Sequence, residues 1–237
     1  MNCAILLAAG TGSRMNGIVE DKILFPIMGE PVITYSIKAF QDTQEFDHFL
    51  IVYRDEVQKD QILNILSPGF IEKYNPQFIQ GGDSRQASVF NALTELDSWK
   101  SPVDYVAIHD AARPLITPQL ILNLLSTAHK HQNAIPATLI TDTVKLIDES
   151  FDNEVQSVKN LDRSKLRSVQ TPQIFEFNLI YKCYQQVIES MQIMTDDSSA
   201  LAFSDIPIKL VMNTQPNPKL TTKNDLDYIL YLLNQNR

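Results

Sequence analysis

Arg14 stands inside a glycine-containing loop, Gly10-Thr11-Gly12-Ser13-Arg14, that follows five apolar residues from Cys3 to Leu7. Ala8 and Ala9 keep the approach small, and the two glycines let the main chain turn and come close to a ligand. A loop rich in main-chain N–H groups at the end of a strand cradles anions. An arginine within it points to phosphoryl or nucleotidyl chemistry rather than to simple dinucleotide binding. Met15 occupies the place of the third glycine of a Gly-x-Gly-x-x-Gly loop, and no Gly-Lys-Ser/Thr follows, so neither the dinucleotide nor the P-loop reading holds. By itself the stretch reads equally as a tight strand-to-helix turn.

Other polar clusters carry the argument further. Lys22 follows the same loop and adds a second cation, and Gly81 to Ser88 and His109 to Arg113 each come directly after a short apolar run. The chain has only seven glycines, and four of them (Gly10, Gly12, Gly81, Gly82) fall in these clusters, which ordinary turns do not explain. Asp110 ends a strand, where ligands of open sheets collect. His109 reads as structural, since phosphoryl chemistry needs no imidazole base. His129 and His131 are two apart on a helix and do not share a face as metal ligands. Each remaining candidate also has a plain reading: Asp83 as a helix cap, Thr195 as a cap for Asp196 onward, Arg163 as one of a solvated basic run with Lys159, Lys165 and Arg167.

The elements that must hold these residues alternate. Strands are read at Cys3–Leu7, His48–Tyr53, Gln77–Gln80 and Tyr105–Ile108. Between them the apolar spacing predicts helices from Pro31 through Phe40, over Gln61–Leu66 and over Ala87–Leu96, with a further one over Pro118–Ala128. The fold class expected is α/β, a Rossmann-like mostly parallel sheet with helices on both faces. The alternation then breaks. Ile135 to Asp148 reads as extended, with an acidic turn to Glu154 and Val155–Val158 as hairpin partner. This is a protruding β-arm at about 137–165, whose apolar residues have no home in one subunit and suggest pairing with another. Helices over Asn178–Ser190 and Asp197–Phe203 and a strand over Ile208–Met212 follow. Thr222 with Asp225 predicts a capping box for the last helix.

At 237 residues and 44% hydrophobic content, the chain suits one nucleotide-handling domain, 1–237, with a packed core. No apolar run approaches the ~18 residues that cross a bilayer. A net charge of −8 argues against a nucleic-acid surface and leaves room for an anionic small substrate where cations are concentrated. Two isolated cysteines, Cys3 and Cys183, fit a reducing compartment. The expectation is a cytoplasmic protein, or one of the plastid stroma if the chain is a processed form, with no nucleic-acid or membrane partner.

Seven motifs occur in order: Leu-Ala-Ala-Gly-Thr-Gly-Ser-Arg-Met at 7–15, Gly-Gly-Asp-Ser-Arg at 81–85 with Ser88, His-Asp-Ala-Ala-Arg-Pro at 109–114, Asp-Thr-Val-Lys at 142–145, Asp-Arg at 162–163, Gln-Thr-Pro-Gln at 170–173 and Thr-Asp-Asp at 195–197. Together they resemble the 2-C-methyl-D-erythritol 4-phosphate cytidylyltransferases of the non-mevalonate isoprenoid pathway, from Cys3 to beyond Lys219. The resemblance implies transfer of CMP from CTP to a branched sugar-alcohol phosphate, with release of pyrophosphate and with Mg²⁺ held mainly by the CTP phosphates. It implies that Arg14 and Lys22 act on the CTP phosphates and the transition state, and that Lys219 joins the α-phosphate to the incoming phosphate. Ala8, Ala9, Gly10 and Gly12 with Gly82, Asp83 and Ser88 would form the CTP pocket. Asp110, Arg113, Thr143 and Thr195 would hold the acceptor, with Arg163 and Thr143 supplied by the arm of a homodimer partner. No residue is assigned as a metal ligand.

Two departures from the family pattern stand out. Asp21-Lys22-Ile23-Leu24-Phe25 replaces Pro-Lys-Gln-Tyr/Phe, and Pro216-Asn217-Pro218-Lys219 replaces Asn-Ile-Lys. The nearest rival is a ribitol 5-phosphate cytidylyltransferase or another sugar-phosphate nucleotidyltransferase. A glycosyltransferase needs an Asp-x-Asp after a strand, whereas Asp225-Leu226-Asp227 falls in a helical pattern. A dehydrogenase needs the third glycine and an acidic residue where Arg54 stands. A binding module without turnover would need none of these cations for a rate.

Overall fold

The structure, a computed structural model, describes residues 1–10, 21–147 and 158–235. Its elements run β1 (Asn2–Leu7), β2 (Pro26–Ile27), β3 (Glu30–Pro31), α1 (Val32–Thr43), β4 (His48–Tyr53), α2 (Glu56–Ile65), α3 (Pro68–Tyr74), β5 (Gln77–Gln80), α4 (Arg85–Asp97), β6 (Tyr105–Asp110), α5 (Pro118–His131) and β7 (Asn133–Leu139). There follow β8 (Lys145–Ile147), β9 (Val158–Asn160), β10 (Arg167–Val169), β11 (Gln173–Glu176), α6 (Phe177–Glu189), α7 (Ser199–Phe203), β12 (Leu210–Met212) and α8 (Lys223–Gln235).

The main sheet has the order β10-β7-β11-β6-β1-β4-β5, with β12 also paired to β7. β1, β4, β5 and β6 are parallel, and Leu7 registers with both Val52 and Asp110, so their carboxyl ends finish at one edge. β11 runs antiparallel into β6, which brings the chain just before Gln173 to that same edge. This is the α/β architecture expected, with antiparallel strands on one side.

Period-two burial divides the core between the two faces. Ala4 and Leu6 of β1 pack with Phe40 of α1, Ile62 of α2, Phe70 of α3 and Leu124 of α5, while Cys3 and Ile5 pack with Val89 and Leu93 of α4 and Ile180 and Tyr184 of α6. Such strands are apolar on both sides, which is why they read as continuous hydrophobic runs. Pro31 is the residue before α1 rather than its first turn, because it pairs with Pro26 in the β2–β3 hairpin and keeps an extended ψ of 143°. The capping box is present: Thr222 N donates to Asp225 Oδ2 at 2.7 Å and Asp225 N to Thr222 Oγ1 at 3.4 Å.

The extended run read from Ile135 to Asp148 is two things. Ala137–Leu139 pair with β10 and Ala137 also with β12, inside the main sheet. Only β8 and β9 form the separate hairpin, with Lys145 opposite Asn160. The acidic turn expected at 148–154 lies outside the described residues. Among the described residues no helix is long and apolar enough to cross a membrane.

Candidate active site

A cavity of about 430 Å³ opens at the carboxyl edge of β1, β4 and β6, lined among others by Gly10, Lys22, Gly82, Asp83, Asp110 and Lys219. The sheet explains the meeting. Loops that leave adjacent parallel strands at the same register emerge side by side. Ala8 N donates to Val52 O at 2.9 Å and Ala111 N to Leu7 O at 3.2 Å, so the first turn of each loop is tied to the neighbouring strand. Ala8 has its N–H spent in this way and its carbonyl accepting from Gln58 Nε2 at 3.1 Å, so it supports the loop that Ala9 and Gly10 present.

Asp110 is the centre of charge. Its Oδ2 accepts from Lys219 Nζ at 2.7 Å and its Oδ1 from Arg85 Nε at 3.2 Å, and Arg113 Nε lies 3.9 Å from Oδ2. Burial by itself pushes the carboxyl up. Arg85, Lys219 and Arg113 outweigh it and hold Asp110 well below the usual carboxylate range. Arg85 is in turn clamped at both ends: its Nη1 and Nη2 donate to Asp197 at 2.8 and 2.7 Å. Asp197 is fully buried and also accepts from Tyr184 Oη at 2.6 Å. Burial opposes the charge of Arg85, but Asp197 overcomes it and raises the guanidinium above its ordinary value. This bidentate pair ties the start of α4 to the Thr195-Asp196-Asp197 segment.

Beneath Asp110 lies a buried neutral relay. Asp110 N donates to Thr171 Oγ1 at 3.0 Å, which leaves the Thr171 hydroxyl to donate to His109 Nδ1 at 3.2 Å. His109 Nε2 then carries the proton toward Ser36 Oγ at 3.1 Å, a tautomer assigned from this network. Burial pushes His109 down to about 3, with Asp110 opposing only in part. It is the structural histidine the sequence suggested.

The β5–α4 turn shows which residue caps the helix. Ser84, not Asp83, caps α4 by accepting from Ala87 N at 3.0 Å, which leaves the Asp83 side chain on the cavity wall. Gly81 and Gly82 are demanded by packing. A Cβ on Gly81 would sit 2.8 Å from Ala9 Cβ, and one on Gly82 would sit 2.6 Å from Ala87 Cβ. Ser88 closes the turn from within, donating to Ser84 O at 2.9 Å and accepting from Gly82 N at 3.1 Å.

Lys219 is held from both sides. Asn217 Nδ2 donates to Thr171 O at 3.0 Å, Asn217 O accepts from Arg113 Nη1 at 2.7 Å, and Leu220 N donates to Ala112 O at 2.8 Å. The two prolines therefore stiffen a loop that is docked at Asn217 and Leu220, and Lys219 still reaches the site. Arg113 is partly buried, which lowers its guanidinium despite Asp110 nearby, and its Nε, itself out of contact with solvent, has no hydrogen-bond partner among the described residues.

The other expected residues stand elsewhere. Thr143 and Arg163 lie on the arm, exposed, and do not line this chain's cavity; Arg163 Nη1 donates to Thr141 O of the same arm. Thr195 meets Ser199 Oγ at 3.2 Å and does not cap α7, whose first N–H, that of Ser199, donates to Asp196 Oδ1 at 3.2 Å. Gly12 and Arg14 lie outside the described residues. Sequence reasoning missed Arg85 and Asp197 as a pair. Both stood in the quoted motifs, but nothing local signals a contact over 112 positions. It also missed Gln58, a fully buried amide on the helix after β4.

A family model described as "IspD: 2-C-methyl-D-erythritol 4-phosphate cytidylyltransferase" matches residues 2–235. Relatives of that same name include one from Caldanaerobacter subterraneus subsp. tengcongensis, 35% identical over 94% of each chain. Another, from Clostridium botulinum, is 34% identical over 99% of this chain and 100% of its own. Among solved structures, 4-diphosphocytidyl-2C-methyl-D-erythritol synthase from Anaerococcus prevotii superimposes with a TM-score of 0.81 at 28% identity, covering 99% of this chain and 98% of its own. The Francisella tularensis 2-C-methyl-D-erythritol 4-phosphate cytidylyltransferase gives 0.77 at 26% identity over 97% and 98%. A parallel sheet whose loops gather cations at one edge, matched end to end by these proteins, makes this chain a member of the 2-C-methyl-D-erythritol 4-phosphate cytidylyltransferase family.

Proposed function

We propose that this cytidylyltransferase moves CMP from CTP to 2-C-methyl-D-erythritol 4-phosphate, releasing pyrophosphate, in the non-mevalonate isoprenoid pathway. The observation that carries the reading is the convergence of Lys22, Lys219, Arg85 and Arg113 on and around one cavity of a chain with a net charge of −8. Bringing a phosphate monoester to a triphosphate costs several kcal/mol of repulsion at intermediate dielectric. Catalysis is then positioning plus cations aimed at the charge that develops in transfer.

Lys22, with Arg14, would neutralise the CTP phosphates, and the main chain of Ala9 and Gly10 would cradle them. An ammonium has three N–H donors. Lys219 uses one on Asp110, and a second and third would hold the α-phosphate beside the incoming phosphate. Asp110 keeps Lys219 at the cavity and Arg113 close behind it and would accept from acceptor hydroxyls, while the Arg113 guanidinium would lend its charge to the acceptor's phosphate. Asp83 and Gly82 flank the nucleoside end. Proton transfer needs no imidazole, since the attacking phosphate is already anionic at neutral pH.

Mg²⁺ fits this donor set as a companion of the triphosphate. Each oxygen of Asp110 already faces a cation, Lys219 or Arg85, so CTP phosphates and water would supply most of the oxygens that a hard cation requires. When bound there, it would offset charge on the triphosphate and on the departing pyrophosphate.

The working unit in this proposal is a homodimer joined through the arm. Val169 and Met212 both register with Ala137, and Leu139 is two residues on, so these exposed apolar side chains share one face at the base of the arm. Thr143 and Arg163, which this chain's own cavity does not use, would reach a partner's site. The two buried free thiols suit the cytoplasm.

The test is pyrophosphate release by purified protein with CTP, Mg²⁺ and either methylerythritol phosphate or ribitol 5-phosphate. Release with the first alone is expected. Release with ribitol phosphate alone moves the acceptor assignment and keeps the cation roles; no release with either overturns the proposal.

A further inference from the structure

Lys22 is a long side chain that must deliver its ammonium to one place. It is only 8% exposed, and a Cβ on Gly10 would lie 3.8 Å from its Cε and Nζ, so its head rests against the glycine loop. What sets that placement is the residue on either side. On the far side Ile23 is buried in the core and its carbonyl accepts from Ile33 N at 3.0 Å. On the near side the anchor is a carboxylate. Asp21 Oδ1 accepts from Ile23 N at 2.9 Å, closing a turn with Lys22 at its apex. Asp21 Oδ2 accepts from Gln58 Nε2 at 2.7 Å and from Arg54 Nη1 at 3.1 Å.

Gln58 is the hinge of this arrangement. The same Nε2 that holds Asp21 also donates to Ala8 O at 3.1 Å, and its Oε1 accepts from Arg54 N at 2.7 Å. One fully buried amide thus fixes both partners of the later contact: Ala8 lies two residues before Gly10, and Asp21 one residue before Lys22. An exposed ion pair does little, but the Asp21 side chain is only 7% exposed and every partner is a donor. Its three hydrogen bonds all come from N–H donors and use both of its oxygens, which a side-chain amide in its place cannot match.

We infer that Asp21, held by Gln58 and Arg54, is a positioning residue that sets where Lys22 presents its ammonium in the cytidylyl-transfer site. This rests on the proposed role of Lys22 with CTP. A purely structural ion pair would lower stability and, through it, activity in any background. A positioning residue acts through Lys22 and falls silent when Lys22 is gone.

The experiment is a double-mutant cycle on the full-length protein with CTP, Mg²⁺ and methylerythritol phosphate, read on kcat and KM, on CTP affinity by calorimetry and on Tm. Asp21→Asn keeps the volume and the acceptor for Ile23 N but turns an amide toward the donors of Gln58 and Arg54. In the wild-type background it is expected to lower kcat/KM by about 10- to 100-fold, as small misplacements of reacting groups do, with most of the loss in kcat. In a Lys22→Ala background the same substitution should change the residual rate and CTP affinity by less than about 3-fold, while its effect on Tm is the same in both. Should Asp21→Asn fail to fold, Arg54→Met enters the same cycle with an expected loss of about 3- to 10-fold. Losses that multiply unchanged onto Lys22→Ala, or an Asp21→Asn enzyme within about 2-fold of wild type, overturn the inference while wild-type turnover keeps the functional reading. Lys22→Ala working at the wild-type rate, or wild-type protein releasing no pyrophosphate, removes the functional reading itself.

Discussion

At the carboxyl edge of β6 a nearly buried carboxylate is met by three cations, while on the β8–β9 arm the nearest analogue, Arg163, is exposed and reaches a main-chain carbonyl of its own arm. In the first region the two central charges are each held by more than one other: Asp110 by Arg85, Arg113 and Lys219, and Arg85 by Asp110 and Asp197. In the second, Leu146 is 52% exposed and the contacts are within the hairpin. The cavity is therefore preorganised by the fold, whereas the described contacts of β8 and β9 are with each other. A rigid site and a loosely held one should respond to substitution in different ways.

The largest effect should come from the most constrained pair. Asp197→Ala leaves Arg85, 32% exposed, with Asp110 as its remaining carboxylate and strips the buried Tyr184 hydroxyl of its acceptor, at a cost of about 3 kcal/mol, the low end for breaking a buried pair. Urea denaturation should show that loss, and cavity and stability should fail together. Lys219→Ala comes next. With its loop still docked through Asn217 and Leu220, it should fold normally and lose about 10²–10³ in kcat, the usual cost of removing one group that stabilises transition-state charge. A Tm lowered by many degrees would instead make Lys219 a structural counterion of Asp110.

His109 offers a pH handle on the same region. Its folded value of about 3 lies below the ~6.5 of an unfolded histidine. Between those values the unfolded chain binds the extra proton, so stability is full above about pH 6.5 and falls as the pH drops toward 3. Asp110, whose carboxyl is also held low, adds its own loss only below about pH 4. His109→Gln, which cannot titrate, should flatten the unfolding free energy between pH 6.5 and 4 by roughly 3 kcal/mol relative to wild type. Parallel curves for the two proteins would mean that the imidazole titrates in place.

The same contrast explains what the sequence made readable. β4 was legible to the residue because a strand buried on both faces leaves a continuous apolar run, and β5, an edge strand with no fully buried residue, because polar Gln77 and Gln80 bracket Phe78 and Ile79. The capping box at Thr222 was legible because its two partners are three residues apart. The arm was misjudged at its base: Thr138 and Leu139 continue the alternation of β7 and no glycine or proline marks where the sheet ends, so a strand and a loop looked like one element. In the site, cations on motifs could be named, but which carboxylate each one meets depends on register. Gln58 illustrates the limit, since a glutamine on a helix reads as solvent-facing, and only the neighbouring Ala8 and Asp21 reveal why it is buried.

The smallest effect expected is the one that decides whether the arm belongs to the site at all. Arg163→Ala removes no buried contact, so the unfolding free energy should stay within about 0.5 kcal/mol of wild type, the ordinary range for surface changes. If the arm serves a partner's cavity, kcat/KM falls about 10-fold all the same, the scale of one exposed phosphate contact. A Lys219→Ala subunit mixed with an Arg163→Ala subunit then separates a shared site from a self-contained one. In a mixed dimer one cavity carries both defects and the other carries neither, because the intact arm comes from the chain with the damaged cavity. Random exchange at equal amounts makes half the dimers mixed, with one sound site in each, so activity should rise to about a quarter of wild type above the background of the two parents. Activity that stays at the average of the parents after exchange would place Arg163 in its own chain's chemistry or in none, and the loosely held arm would then be a dimerisation element with no part in catalysis.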